Sequence, residues 1–377
     1  MADDLFDTFE QTLRSAGADA GFDLLIAKFR EEKKYPLVFE ARLMKSRHAL
    51  GLPVIQNGQL EDLPDDKRTA HERAFMDAAR EVGGLFLADG DIPRAWSYFR
   101  AIGETAPVAA AIGNLQPQEN QEAVIEIALQ ERVHPSKGFE LILANYGICR
   151  AITFFEQYPD RKTRDDCMRL LVRTLHHELV ESLKRVIARN ETQAPETQSV
   201  ADLIAGRDWL FGDYDYYVDT SHVVSILRFT LDATDRETLA LAVELADYGT
   251  HLSKMFCFRG DPPFEDGFQD YAIYLRALTG EQADEAVVHF KAKIASCNPD
   301  NAGPAPAQTL VALLARLARY DEAIAVSLDH LRDLDPNQLL CPSVFELCQA
   351  AGDYSRLRSL ARERGDLLHF AAAALEG

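Results

Sequence analysis

Between Asp165 and Asp270 the chain gathers residue types that bind metals and move protons. Three acid–histidine pairs lie one helical turn apart: His177 with Glu181, Asp219 with His222, and Asp247 with His251. At i, i+3 or i, i+4 spacing both members of a pair share a helix face. Imidazole nitrogen and carboxylate oxygen are donors that Fe, Mn and Zn accept, so three such faces turned to one point would supply a divalent-metal site. The spacing of Asp219 and His222 is that of carboxylate sites in helical bundles, with Asp where those carry Glu. The acidic loop from Asp261 to Asp270 offers a further carboxylate. The competing reading is structural. Such pairs also form surface salt links worth about 0.3–0.5 kcal/mol, and with 60 acids and 10 histidines several arise by chance.

An aromatic run sits inside the same stretch, from Trp209 through Phe211, Tyr214 and Tyr216 to Tyr217. Trp209, Tyr214, Tyr216 and Tyr217 have the chemistry to line a cleft for a planar or sugar-like ligand, and equally to pack two helix layers together. Asp213 and Asp215 between the tyrosines oppose complete burial, which favours a half-open cleft. Other catalytic signatures are missing: there is no HExxH, no paired-cysteine zinc spacing, no GxSxG elbow, no phosphate loop and no GxGxxG.

Sixty acids against 40 Lys and Arg give a net charge of −20 over 377 residues. That field repels phosphate backbones and anionic membranes, so neither nucleic acid nor membrane is expected as a partner. The densest basic groups, Lys33-Lys34 and Arg161-Lys162-Arg164, are too short to reverse it. Six scattered cysteines without a C-x-x-C pair point to a reducing compartment and buried thiols, with Cys149 and Cys167 read as core. The N-terminus is acidic where a secretion signal is basic, and no run approaches the roughly 18 apolar residues of a membrane span. The expected location is the cytoplasm.

The elements that must position these residues read as helices. Apolar residues recur at i, i+3, i+4 from Leu5 to Leu13, from Phe22 to Phe29 after Gly17, and from Leu37 to Leu50 after Tyr35-Pro36. No sustained period-two pattern suggests a strand, so the expected class is all-α. A polar loop with a turn at Asn57-Gly58 precedes a helix that Asp65 or Asp66 would cap. Asp165 to Asn190 predicts one long helix carrying His176-His177-Glu178.

Helical hairpins recur on both sides of this stretch. Gly83 to Phe86, a turn at Gly90-Asp91, then Ala95, Phe99 and Pro107 place small and aromatic residues where two helices cross, with a proline to end the second. Ala318-Arg-Tyr320-Asp-Glu-Ala323, closed by Asp335-Pro336, repeats the theme, and Tyr354 follows Tyr320 by 34 residues. Weaker copies lie at Tyr271 to Phe290, ahead of an insertion from Cys297 to Ala307, and at Gly147 to Pro159 with Ala151 and Phe155. This pattern, over residues 70–160 and 270–377, resembles the tetratricopeptide repeat, whose period is 34. The copies depart from it: Leu357 stands where a small alanine is expected, and several first helices lack the aromatic. The resemblance implies an irregular helical-hairpin solenoid with a concave surface that binds a protein or peptide, and implies no chemistry. Hairpins over 1–160, the central segment 161–270 and repeats over 271–377 would form one array, closed by a capping helix from Leu367 to Leu375. A metal-dependent enzyme using the central histidines is the alternative function.

Overall fold

The computed structural model describes residues 2–55, 64–158, 162–191, 193, 195–296 and 302–377. The expected Asn57-Gly58 turn, Pro159, Arg161 and residues 297–301 of the insertion lie outside them. Among the described residues the chain is all-α, with eighteen α-helices and no strand. No helix among them is long and apolar enough to cross a membrane.

The fold divides into two units, Met1–Gly147 and Ile148–Gly377. The first holds α1 (Ala2–Glu31), α2 (Tyr35–Ala49), α3 (Asp65–Ala88), α4 (Ile92–Ala101), α5 (Ala106–Gly113), α6 (Glu122–Leu129) and the start of α7 (Pro135–Glu156). Gly17 and Gly147 leave helical geometry at φ 86° and 76°, which breaks α1 and α7 where a residue with a side chain would be strained. Consecutive helices pack on one another through this unit. At the crossing of α3 and α4 a Cβ on Gly83 would lie 2.6 Å from the Phe99 ring, so the small residue and the aromatic meet as the pattern requires. Two local expectations are corrected. Pro64, not Asp65 or Asp66, is the N-cap of α3, without a side-chain cap bond. Pro107 does not end α4 but occupies the first turn of α5, where its missing N–H has no helical partner to lose.

The second unit continues with α8 (Arg164–Glu191), α9 (Val200–Ile204), α10 (Thr220–Thr230), α11 (Arg236–His251), α12 (Phe268–Thr279), α13 (Ala283–Ser296), α14 (Ala305–Arg316), α15 (Tyr320–His330), α16 (Val344–Ala351), α17 (Tyr354–Glu363) and α18 (Leu367–Glu376). The long helix forms as expected. Its Leu171, Leu175, Leu179, Leu183 and Ile187, one turn apart, are all fully buried, each worth about 2 kcal/mol of transfer free energy. That stripe packs on α10 and α11, and α12 packs closely on α11. A Cβ on Gly249 would come within 2.3 Å of the Phe268 ring, so glycine sets the α11–α12 spacing. Arg316 on α14 donates to the carbonyls of Leu231 and Ala233, closing the turn between α10 and α11.

The thiols are not uniformly buried: Cys149 and Cys257 are exposed, while Cys167 and Cys348 are buried. On α18 only Ala373 is buried, and Leu367, Leu368 and Leu375 face water. A capping repeat has a polar outer face, so the outer side of α18 differs from the expected cap.

Two outcomes follow for stability. Gly249→Ala forces a methyl against Phe268 and should cost about 1–3 kcal/mol, read as a lowered thermal midpoint by circular dichroism. In the first unit His71 is 3% exposed and its Nδ1 has no partner among the described residues. Burial first, then the Arg47 charge, holds its pKa below the ordinary value of 6.5. The unfolded chain therefore binds more protons than the fold just below that value, and stability falls as pH drops beneath about 6.5. A pH series of thermal melts should show this loss, smaller in His71→Leu.

Candidate functional site

The six residues expected as metal ligands do not come together as one set. His177 and Glu181 are exposed on α8, with Lys184 Nζ 3.9 Å from Glu181. Asp219 is the N-cap of α10: one carboxylate oxygen accepts from the Ser221 hydroxyl at 2.6 Å and the Ser221 amide at 2.8 Å. Those bonds hold its carboxyl below the usual range. Asp247 meets Arg276 at 2.5 Å, and His251 donates through Nδ1 to the carbonyl of Asp247 at 2.9 Å. Among the described residues no three His, Cys, Asp or Glu side chains group to hold a metal ion. The helix faces that sequence spacing would turn to one point do other work, capping and ion pairing.

His222 and His177 do share one neighbour, Glu178, whose carboxyl feels both. Glu178 touches water, yet the protein around it makes burial the largest influence and raises its pKa.

A cleft of about 340 Å³ opens between α9 and the end of α11. Asp208, Glu244, Asp247, His251 and Arg276 supply its polar lining, and Val200 and Ile204 part of its apolar wall. Glu244 accepts from His176 Nε2 at 2.6 Å and from the Val200 amide at 2.9 Å. Burial pushes its carboxyl up, but these hydrogen bonds outweigh burial and leave it below the usual range. One turn on, Asp247 goes the other way: burial outweighs Arg276 and raises it. Neighbouring carboxylates with opposite shifts have different proton affinities in one small space.

The aromatic run forms a pinned loop beside this cleft. Tyr217 donates its hydroxyl to the Leu210 carbonyl at 2.7 Å and its amide to the Tyr248 hydroxyl at 2.8 Å. Desolvation raises both tyrosine hydroxyls to about 12. The Phe211 ring lies 5.2 Å from the His251 imidazole, Tyr216 lies 5.0 Å from Phe256, and Ser253 donates to the Asp213 carbonyl at 2.7 Å. Phe211 and Tyr217 are the packed part of the run, against Tyr248 of α11, while Trp209, Tyr214 and Tyr216 are 44%, 74% and 54% exposed. The packing reading describes Phe211 and Tyr217, and none of Trp209, Tyr214, Tyr216 and Tyr217 lines the adjoining cleft.

Comparison with protein-family models, curated proteins and solved structures finds no match for this chain.

The acidic loop ends in the most buried charge of the unit. Asp270, on the first turn of α12, has no exposed surface. It accepts from His289 Nε2 at 2.7 Å, from Lys293 Nζ at 2.9 Å and from the Asp266 amide at 2.8 Å. Lys293 also meets Asp266 at 2.8 Å and Glu265 at 3.3 Å. Burial works against its charge, but the hydrogen bonds it donates to Asp266 and Asp270 outweigh it and raise the ammonium pKa. Three of the four carboxylates of this loop, Glu265, Asp266 and Asp270, therefore meet one ammonium.

Sequence reasoning missed Glu244, His176, Arg276, His289 and Lys293. His176 and Glu244 lie 68 residues apart, a pairing without local signal. Asp266/Asp270 and His289/Lys293 did carry one: two acids and two bases, each at i, i+4, on either side of the α12–α13 hairpin. Asp270→Ala removes the buried acceptor shared by His289, Lys293 and the Asp266 amide and should cost about 3 kcal/mol. Asp219→Ala, which removes only a cap, should cost about 1 kcal/mol. Urea titrations of the two variants test the ranking, which a larger loss for Asp219→Ala would overturn.

Proposed function

We propose that this chain is a tetratricopeptide-like helical-repeat protein that binds a partner protein or peptide in a concave groove. The observation that carries this reading is a recurrence in register. Tyr320 and Tyr354, 34 residues apart, each open the second helix of a hairpin, and Ala323 and Leu357, three positions on, are buried. The Gly83–Phe99 crossing in the first unit supports the same repeat chemistry. Within each unit consecutive helices pack chiefly on their neighbours, the arrangement by which hairpin repeats build extended recognition surfaces. Exposed Trp209, Tyr214, Tyr216 and Met255 add the side chains enriched at protein interfaces. The charge of −20 supports a partner that is neither nucleic acid nor an anionic membrane. Exposed thiols at Cys149 and Cys257 fit a reducing compartment, and the cytoplasm belongs to the same proposal.

Selection of a random peptide library on the immobilised full chain tests the reading. We expect enrichment of peptides sharing a short motif, with affinities of about 1 μM (about −8 kcal/mol) that vanish on the urea-unfolded chain. Peptides no more enriched on the folded than on the unfolded protein would overturn it.

A further inference from the structure

The pinned aromatic loop and the adjoining cleft form one surface, and its chemistry specifies what it can hold. From Asp208 to Asp219 the chain carries Asp208, Asp213, Asp215 and Asp219 with no Lys or Arg between them. Asp213, Tyr214, Asp215 and Tyr216 are exposed in succession, and Met255, on the segment that Ser253 ties to Asp213, is 62% exposed. Rings and carboxylates therefore alternate on the outside while Tyr217, Phe211 and Tyr248 fix the loop from beneath. Asp208 and His251 both line the cleft, and His251 touches Phe211, so cleft and loop are continuous. Inside the cleft Asp247 is paired with Arg276 and Glu244 with His176, while Asp208 is exposed at its edge. Lys254 is the exposed cation beside Met255, and Arg207 is held by Glu191.

We propose that this surface binds a basic segment of a partner protein. One arginine or lysine side chain enters the cleft toward Asp208, and the flanking cations lie over Tyr214 and Tyr216. A ring face attracts a cation through its quadrupole, and an adjacent carboxylate adds charge attraction to the same guest. The loop is ordered without the guest, so little is lost in arranging it on binding. The proposal rests on the partner-binding reading and narrows it to a class of partner.

Fluorescence anisotropy on the full chain tests it, using a short fluorescein-labelled peptide alternating arginine and glycine, with a glutamate–glycine peptide as control. Tyr214→Ala/Tyr216→Ala keeps every charge and should weaken binding about tenfold, the scale of two cation–π contacts. Asp213→Asn/Asp215→Asn should weaken binding and flatten its salt dependence. Asp65→Asn/Asp66→Asn, the same charge loss at an exposed site in the first unit, should leave affinity unchanged. Circular dichroism confirms that each variant folds. The proposal is overturned if the arginine peptide does not bind, if the tyrosine variant binds like the parent, or if the Asp65/Asp66 variant loses as much as the Asp213/Asp215 variant. In each of these cases library peptides that bind the folded chain elsewhere leave the partner-binding reading intact. That reading fails separately, when the library yields none.

Discussion

A fully buried carboxylate anchors the second unit of this protein. Asp270 cannot stay charged in an apolar interior without partners, and it has three: an imidazole, an ammonium and a backbone amide. Those partners come from α13 and from the loop before α12, so satisfying one side chain positions three segments. α12 in turn packs along α11, with Gly249 against Phe268, and α11 carries Tyr248, Glu244, Asp247 and His251. Whatever fixes α12 thereby fixes the floor of the cleft and the underside of the aromatic loop.

The unit uses carboxylates in two ways, separated by burial. Asp270 is enclosed, and the half-buried Glu244 is likewise committed to partners, so both hold elements together. Asp213 and Asp215 are exposed on a loop held by neighbouring rings and by the bond that the Gly212 amide donates to Asp215. Asp247 lies between these cases, paired with Arg276 yet raised by burial. The contrast explains why net acidity alone says little: a charge is available to a partner only where the fold has not already used it.

Periodicity made most of the architecture legible. The breaks at Gly17 and Gly147, the start of α2 at Tyr35 and the length of α8 all follow from apolar spacing and backbone preference, which are local properties. So does the opening of α15 and α17 by tyrosines 34 residues apart. The candidate site was legible only in part. Asp219, Asp247 and His251 were singled out by spacing along a helix, but spacing does not say which way a face turns. Asp219 met its own N-terminal amides, and Asp247 met an arginine 29 residues away. His176 and Glu244 needed the packing of α8 on α11, a tertiary fact that no local pattern contains. Pro107 shows the same limit on a small scale, since a proline that cannot continue one helix is equally suited to begin another.

The ammonium of Lys293 has a wider consequence. A loop rich in carboxylates usually borrows a cation from solution, and its order then follows supply and competing chelators. Here the counter-ion is covalently attached, so its effective concentration at the loop is set by chain geometry and cannot be diluted. The segment between α11 and α12 thus carries its own counter-ion.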